Sequence, residues 1–240
     1  VLASQINKDV IKYNPYVDNI YKNYKNNILT DLPTLLKLRK EEFDVCIELE
    51  HSVIPHAIIR LKIINPKKII SIHKDGRYGV KGSEIELYDF FTNKDKDNHF
   101  GKIWLDTLSF FQINPNSTKY DFFLSSVEKD RARKFVTPLG DKIIIGINTQ
   151  GSFPEKRIND NNLRDICIGL KDKIRNIHII ILATPDQLKA KKNFITKLDF
   201  DFVSCSYPTH TIIDVAALIQ ELDFIISPDT SIVHIASSFD

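Results

Sequence analysis

The stretch Lys142-Ile143-Ile144-Ile145-Gly146-Ile147-Asn148-Thr149-Gln150-Gly151-Ser152-Phe153-Pro154-Glu155-Lys156-Arg157 decides how this chain is read. Its first part, Lys142–Ile147, is a short β-branched apolar run without polar alternation, as expected of a strand buried on both faces. The run breaks into a polar loop with Gly151, and a helix pattern follows over Asn159–Leu170. A buried strand that feeds a polar loop and then a helix is the repeating unit of a doubly wound α/β sheet.

Working outward, the same alternation continues to the end of the chain. Strands are expected at His178–Ala183, Phe202–Ser204 and Asp223–Ser227, and helices at Pro185–Leu198, Thr211–Glu221 and Thr230–Ser238. Towards the beginning the pattern is looser. Strands are expected at Val1–Ala3, Asn19–Tyr21, Val45–Leu49 and Lys68–Ile72, with helices at Leu32–Lys40, Val53–Leu61 and Phe100–Phe111. Residues 75–98 are rich in Gly, Asn, Lys and Asp and read as loop. Ser125–Val136 reads as a helix opened by a capping box, Ser125-Ser126-Val127-Glu128. Pro138-Leu139-Gly140-Asp141 is a breaker cluster, and the domain boundary is placed there, giving domains 1–138 and 139–240.

Composition narrows the function. With 33 basic and 31 acidic side chains in 240 residues, the net charge is +2, and no basic stripe marks a nucleic-acid binder. No apolar run approaches the roughly 18–20 residues of a membrane span. The 3 cysteines, Cys46, Cys167 and Cys205, form neither a disulfide framework nor a zinc motif, which favours a reducing, cytoplasmic setting. The chain has no Met and opens directly into a strand, so a piece of a longer protein is expected.

Candidate chemistry gathers at the strand-to-helix loops, where open α/β sheets bind ligands. In the first, Gly151 permits close backbone approach. Thr149 and Ser152 offer hydroxyls, and Lys156 and Arg157 offer charge for a diphosphate. A polar loop with solvated cations fits the same residues. In Ser227-Pro228-Asp229-Thr230-Ser231-Ile232-Val233-His234, the backbone N–H groups of Thr230 and Ser231 open a helix, a natural seat for phosphate. His234 follows Thr230 by one helical turn and shares its face. The plainer reading makes Asp229 an N-cap and His234 a packing residue. Gln187 and His210 end two more loops, as ribose and base contacts or as exposed polar residues.

Together these residues resemble glycosyltransferase family 9, the lipopolysaccharide heptosyltransferases. Asp223-Phe224-Ile225-Ile226-Ser227-Pro228-Asp229-Thr230-Ser231-Ile232-Val233-His234-Ile235-Ala236 is similar to that family's strand followed by D-T-[GS]-x-x-H-x-A. Ile147 to Arg157 resembles its N-P-G-A-S-W-P-x-K-R-W loop. Looser likeness lies in Phe43–Leu49 and in Val1–Asp18.

The resemblance implies two Rossmann-like α/β domains of GT-B type, truncated at both ends. Residues 1–138 would form the acceptor-side domain without its first strand and loop, and 139–240 the nucleotide-sugar-binding domain without its carboxy-terminal end. It implies an inverting, metal-independent transferase that moves a heptose from ADP-heptose to the lipopolysaccharide inner core, with no further cofactor. A peripheral contact with the inner face of the cytoplasmic membrane goes with that acceptor. Carried over, Lys156 contacts the diphosphate, Asp229 the sugar hydroxyls, and Thr230 and Ser231 the phosphate. His234 lines the same pocket, Gln187 stands where a ribose-binding Glu is usual, and His210 lies near the adenine. The general base is expected upstream of Val1. Two departures, Thr149-Gln150 for Pro-Gly and Gln187 for Glu, keep other nucleotides or sugars open. A non-catalytic nucleotide-sugar-binding protein, or another GT-B enzyme using a UDP-sugar, fits the same pattern. In the first half Arg60, Lys62, Lys67, Lys68, Lys74, Arg77 and Lys81 read either as a solvated basic face or as a surface for an anionic acceptor.

Overall fold

A computed structural model describes residues 1–5, 7–23, 27–74, 84–92 and 100–239. Its contacts divide the chain into two units, one of Val1–Ile6 with Asn19–Thr118, the other of Asn7–Asp18 with Lys119–Asp240.

The second unit is built on the apolar run Lys142–Ile147. Strand β6 (Ile143–Asn148) is flanked by β7 (Ile177–Leu182) and β9 (Phe224–Ile226), with β8 (Val203–Cys205) beyond β7. All pairings are parallel, in the order β8-β7-β6-β9. Successive side chains of a strand alternate between faces, so β6 feeds two cores. Ile145 and Ile147 pack with Leu163 and Cys167 of α5 (Asp160–Lys173) on one face. Ile144 packs with Ala216, Leu218 and Ile219 of α7 (Ile212–Gln220) on the other. Each such fully buried aliphatic side chain contributes about 1.5–3 kcal/mol. Helix α7 is buried from Ile213 to Ile219 because the sheet covers one side and α4 (Ser126–Val136) and α8 (Ser231–Ala236) pack on it too. Helix α6 (Leu188–Leu198) sends Phe194 and Ile195 to the α5 face.

The helix starts follow local chemistry. Asn159 caps α5 by accepting from Asn162 N, and Thr211 with Asp214 forms a full capping box on α7. The expected box at Ser125 does not form. Ser125 makes no side-chain cap bond, and Glu128 instead takes a hydrogen bond from the Tyr13 hydroxyl at 3.4 Å. Helix α4 packs against α7, so the contact division falls at 118/119, whereas the sequence reading placed the boundary at 138/139.

The first unit holds two parallel sheets. One pairs β1 (Leu2–Ser4) with β2 (Tyr21–Asn23); the other orders β3 (Val45–Glu48), β4 (Lys68–Ser71) and β5 (Phe90–Phe91). Helix α1 (Ile28–Lys40) starts a turn earlier than Leu32, because Asn27 accepts from Thr30 N. It packs on α2 (Pro55–Ile64) through Leu35, Leu38 and Ile64. Phe100–Phe111 is not one helix but α3 (Phe100–Leu105) followed by a 3₁₀ turn, Asp106–Phe111.

The described members of this half's basic cluster divide: Lys62, Lys67 and Lys68 lie on the surface, whereas Arg60 and Lys74 belong to the interior. Arg60 is buried against Asp31, with its Nε 2.8 Å from Oδ2, and Lys74 is buried against Glu48. Lys67 and Lys68 are exposed but paired with Asp44 and Asp89. Arg77 and Lys81 lie outside the described residues.

Candidate functional site

In the second unit β7 and β8 extend to one side of β6 while β9 lies on the other. The strand order therefore reverses between β6 and β9, and the crevice beyond their carboxyl ends is where such sheets bind ligands. A cavity of about 460 Å³ occupies that end, within the range of small-molecule sites. Gly151 and Ser152 line it from the loop after β6, Gln187 from the loop after β7, and His210 from the loop after β8. Thr230 and Ser231 line it from the loop after β9. The convergence of the four loops is a product of the parallel sheet, since every strand delivers its loop to the same end.

Asn148, the last residue of β6, ties the loops together. Its Nδ2 donates to Gln150 O at 3.2 Å, Ser227 Oγ at 3.0 Å and Thr230 Oγ1 at 3.3 Å. Its Oδ1 accepts from Gln150 N at 3.0 Å. A buried amide with its hydrogen-bonding capacity used in this way fixes the geometry of both loops.

The loop after β6 folds back on itself. Gly151 lies so close to the turn Pro154–Lys156 that a Cβ there would stand 2.6 Å from both Lys156 Cβ and Lys156 O. Only glycine fits without displacing backbone. The fold-back sends the Lys156 ammonium to 3.6 Å from Asp229 Oδ2, over the Phe153 ring at 5.8 Å. Both charged side chains remain open to solvent, as does Arg157.

The other expected residues fall as follows. Thr149 is fully buried and does not line the cavity; its hydroxyl accepts from Gln150 Nε2 at 3.4 Å, and its carbonyl accepts from Ile158 N. Gln187 lines the cavity, and its buried Oε1 has no hydrogen-bond partner among the described residues. His210 is exposed at the cavity wall. Thr230, not Asp229, is the N-cap of α8, accepting from Ile232 N at 3.3 Å. His234 is exposed and absent from the lining; its ring meets Tyr120 edge-on at 6.4 Å. Thr230 stands before the helix proper, so the spacing of four does not put His234 on the cavity side.

Asn148, Gln150, Thr184, Thr209 and Thr211, which belong to the candidate loops but carry no assigned ligand role in the sequence reading, also line the cavity. Their signal was position alone, a polar residue where a buried strand gives way to its loop. Beside this wall, burial, with Asp214 adding to it, pushes the Tyr207 phenol up to about 12.

Among the described residues no group of three or more His, Cys, Asp or Glu side chains is placed to hold a metal ion. None of their helices is long and apolar enough to cross a membrane.

The family described as glycosyltransferase family 9 (heptosyltransferase) matches residues 35–240. The chain is 30% identical over 123 residues to "Putative lipopolysaccharide heptosyltransferase 4" of Escherichia coli (strain K12), covering 51% of this chain and 31% of that protein. The match thus spans less than a third of that relative. A family 9 glycosyl transferase from Veillonella parvula shares the fold with a TM-score of 0.76 at 14% identity, over 99% of this chain and 68% of that one. The E. coli heptosyltransferase WaaC with ADP gives a TM-score of 0.73 at 12% identity, over 100% and 73%. These likenesses agree with two Rossmann-like α/β units of the GT-B type. With the family matched over most of its length, the chain belongs to glycosyltransferase family 9, the heptosyltransferase family.

Proposed function

We propose that the cavity of the second unit binds a nucleotide-diphosphate sugar, ADP-heptose, and that the whole protein transfers the heptose to the lipopolysaccharide inner core. The observation that carries this is the approach of Lys156 to Asp229 beside a cavity walled by four strand-end loops. Neither side chain lines the cavity itself, but Lys156 folds against Gly151 and Asp229 precedes Thr230, both of which do. A cation and a carboxylate so placed suit a ligand with an anionic diphosphate and a hydroxyl-rich sugar. Family membership and the ADP bound to the E. coli relative support the same donor.

In this reading Lys156 meets the charge that grows on the departing diphosphate, and the N–H groups at Thr230 and Ser231 add fixed dipoles. Asp229 accepts from sugar hydroxyls. Gln187 turns its unpartnered Oε1 to the ribose, and His210 stands beside the adenine. Attack by an acceptor hydroxyl on the anomeric carbon, with its proton passing to a carboxylate, inverts the configuration. None of the described residues is assigned that base. Transfer proceeds on this reading without a metal.

Calorimetric titration with ADP, UDP, GDP and CMP tests the donor. ADP alone should bind with micromolar affinity; a response to UDP alone would sink the assignment. Transfer by the whole protein that survives EDTA supports the metal-independent step, and loss of transfer restored by a divalent ion overturns it.

A further inference from the structure

We propose that Arg131, on α4, is a positioning residue for the cavity, holding through Asp214 the wall formed by His210 and Thr211. The inference rests on the donor-site reading above and adds to it a residue that touches no part of the cavity.

The Asp214 side chain is 8% exposed and carries four hydrogen bonds. Its Oδ2 accepts from His210 N at 3.1 Å, from Thr211 N at 3.0 Å and from the Thr211 hydroxyl at 3.0 Å. Its Oδ1 accepts from Arg131 Nη1 at 2.7 Å. One carboxylate oxygen therefore shapes the cavity wall while the other is tied to a neighbouring helix.

A second tie runs in parallel. Phe135, one turn after Arg131 on the same face of α4, meets the Tyr207 ring edge-on at 5.3 Å. The Tyr207 hydroxyl in turn donates to Asp214 O at 3.0 Å. Without the guanidinium, Oδ1 is a nearly buried anion lacking its charged donor. The carboxylate then turns or draws in water, and Oδ2 loosens its hold on the two wall amides.

The same two helices supply a control. Arg133 Nε pairs with Glu221 Oε1 at 3.3 Å, at the opposite end of α7 from the cavity. Removing either arginine deletes one ion pair between α4 and the α7 segment, but only Arg131 reaches the wall.

The test compares Arg131→Ala, Arg131→Lys and Arg133→Ala in the full chain. Hydrogen exchange is read over residues 207–211, and ADP binding by calorimetry. Arg131→Ala should speed exchange about 10-fold and weaken ADP about 5-fold. Arg131→Lys should recover most of both, and Arg133→Ala should change neither. Equal effects of Arg131→Ala and Arg133→Ala overturn the proposal, as does faster exchange without a change in ADP affinity. Should Arg131→Ala fail to fold, Arg131→Gln takes its place in the same comparison. A wild-type chain that ignores ADP overturns the donor reading instead, and exchange alone then decides whether Arg131 holds the wall.

Discussion

The Lys156 ammonium lies 3.6 Å from Asp229 Oδ2, joining the loops after β6 and β9 where the strand order reverses. With both side chains largely solvated, this pair contributes about 0–1 kcal/mol to folding. Its chemistry is directed outward. Lys156→Ala should weaken ADP binding about 10-fold, the loss of one charge-assisted contact, with an unchanged melting temperature. Asp229→Asn should tighten ADP about 2-fold, because a negative charge leaves the diphosphate's surroundings, yet abolish sugar transfer by the whole protein. Calorimetry and a turnover assay read the two arms, and weaker ADP binding by Asp229→Asn counts against this geometry.

Two glycines of the same segment should respond differently. At Gly151 an added Cβ meets the Lys156 backbone, so Gly151→Ala must displace the turn; it should cost about 1–3 kcal/mol and weaken ADP as well. At Gly146 the obstruction is Leu222 Cδ1, at 2.4 Å, the far end of a flexible side chain. Gly146→Ala should cost less and leave ADP binding alone. Urea melts with ADP titration separate them.

The Arg60–Asp31 pair is buried, with side-chain exposures of 8% and 1%. Arg60→Ala removes the guanidinium from a buried ion pair and should destabilise by about 3–5 kcal/mol. The double variant Arg60→Met/Asp31→Leu should cost less than Arg60→Ala alone, because both charges leave the interior together. Denaturant midpoints of both chains check this.

His178 on β7 is buried, with Nε2 2.8 Å from Ser204 Oγ. Burial, reinforced by Lys142 and opposed by Asp201, lowers its pKa below the usual 6.5. Above pH 6.5 both folded and unfolded chains keep it neutral, and it adds no pH dependence. As pH falls through 6.5 the unfolded chain takes up the proton first, so stability declines until the folded value is passed. His178→Gln should flatten that part of the curve, measured as urea midpoints from pH 7.5 downward.

The second half of the fold was legible because β6 and β7 are nearly continuous β-branched runs, and because Asn159, Thr211 and Thr230 stand at helix starts. Elsewhere the deciding partner was distant. Glu128 looks like half of a capping box until Tyr13 claims it. Arg60 and Lys74 look like surface cations until Asp31 and Glu48 are found beside them in the interior. β5, two residues long, carries no periodicity to detect. The candidate loops could be named from the sequence, since strand ends are punctuated. The dependence of their geometry on Asn148 could not, because its partners Ser227 and Thr230 come from another strand's loop.

The segment Asn7–Asp18 leaves the first unit, joins the second, and returns. Tyr13 bonds Glu128 there, and Tyr16 meets Phe123 edge-on at 6.2 Å. No single cut of the polypeptide therefore yields two self-sufficient halves. Residues 7–18 can settle only once Phe123 and Glu128, over a hundred positions further along the chain, are in place, which ties the maturation of one unit to a stretch borrowed from within the other's sequence.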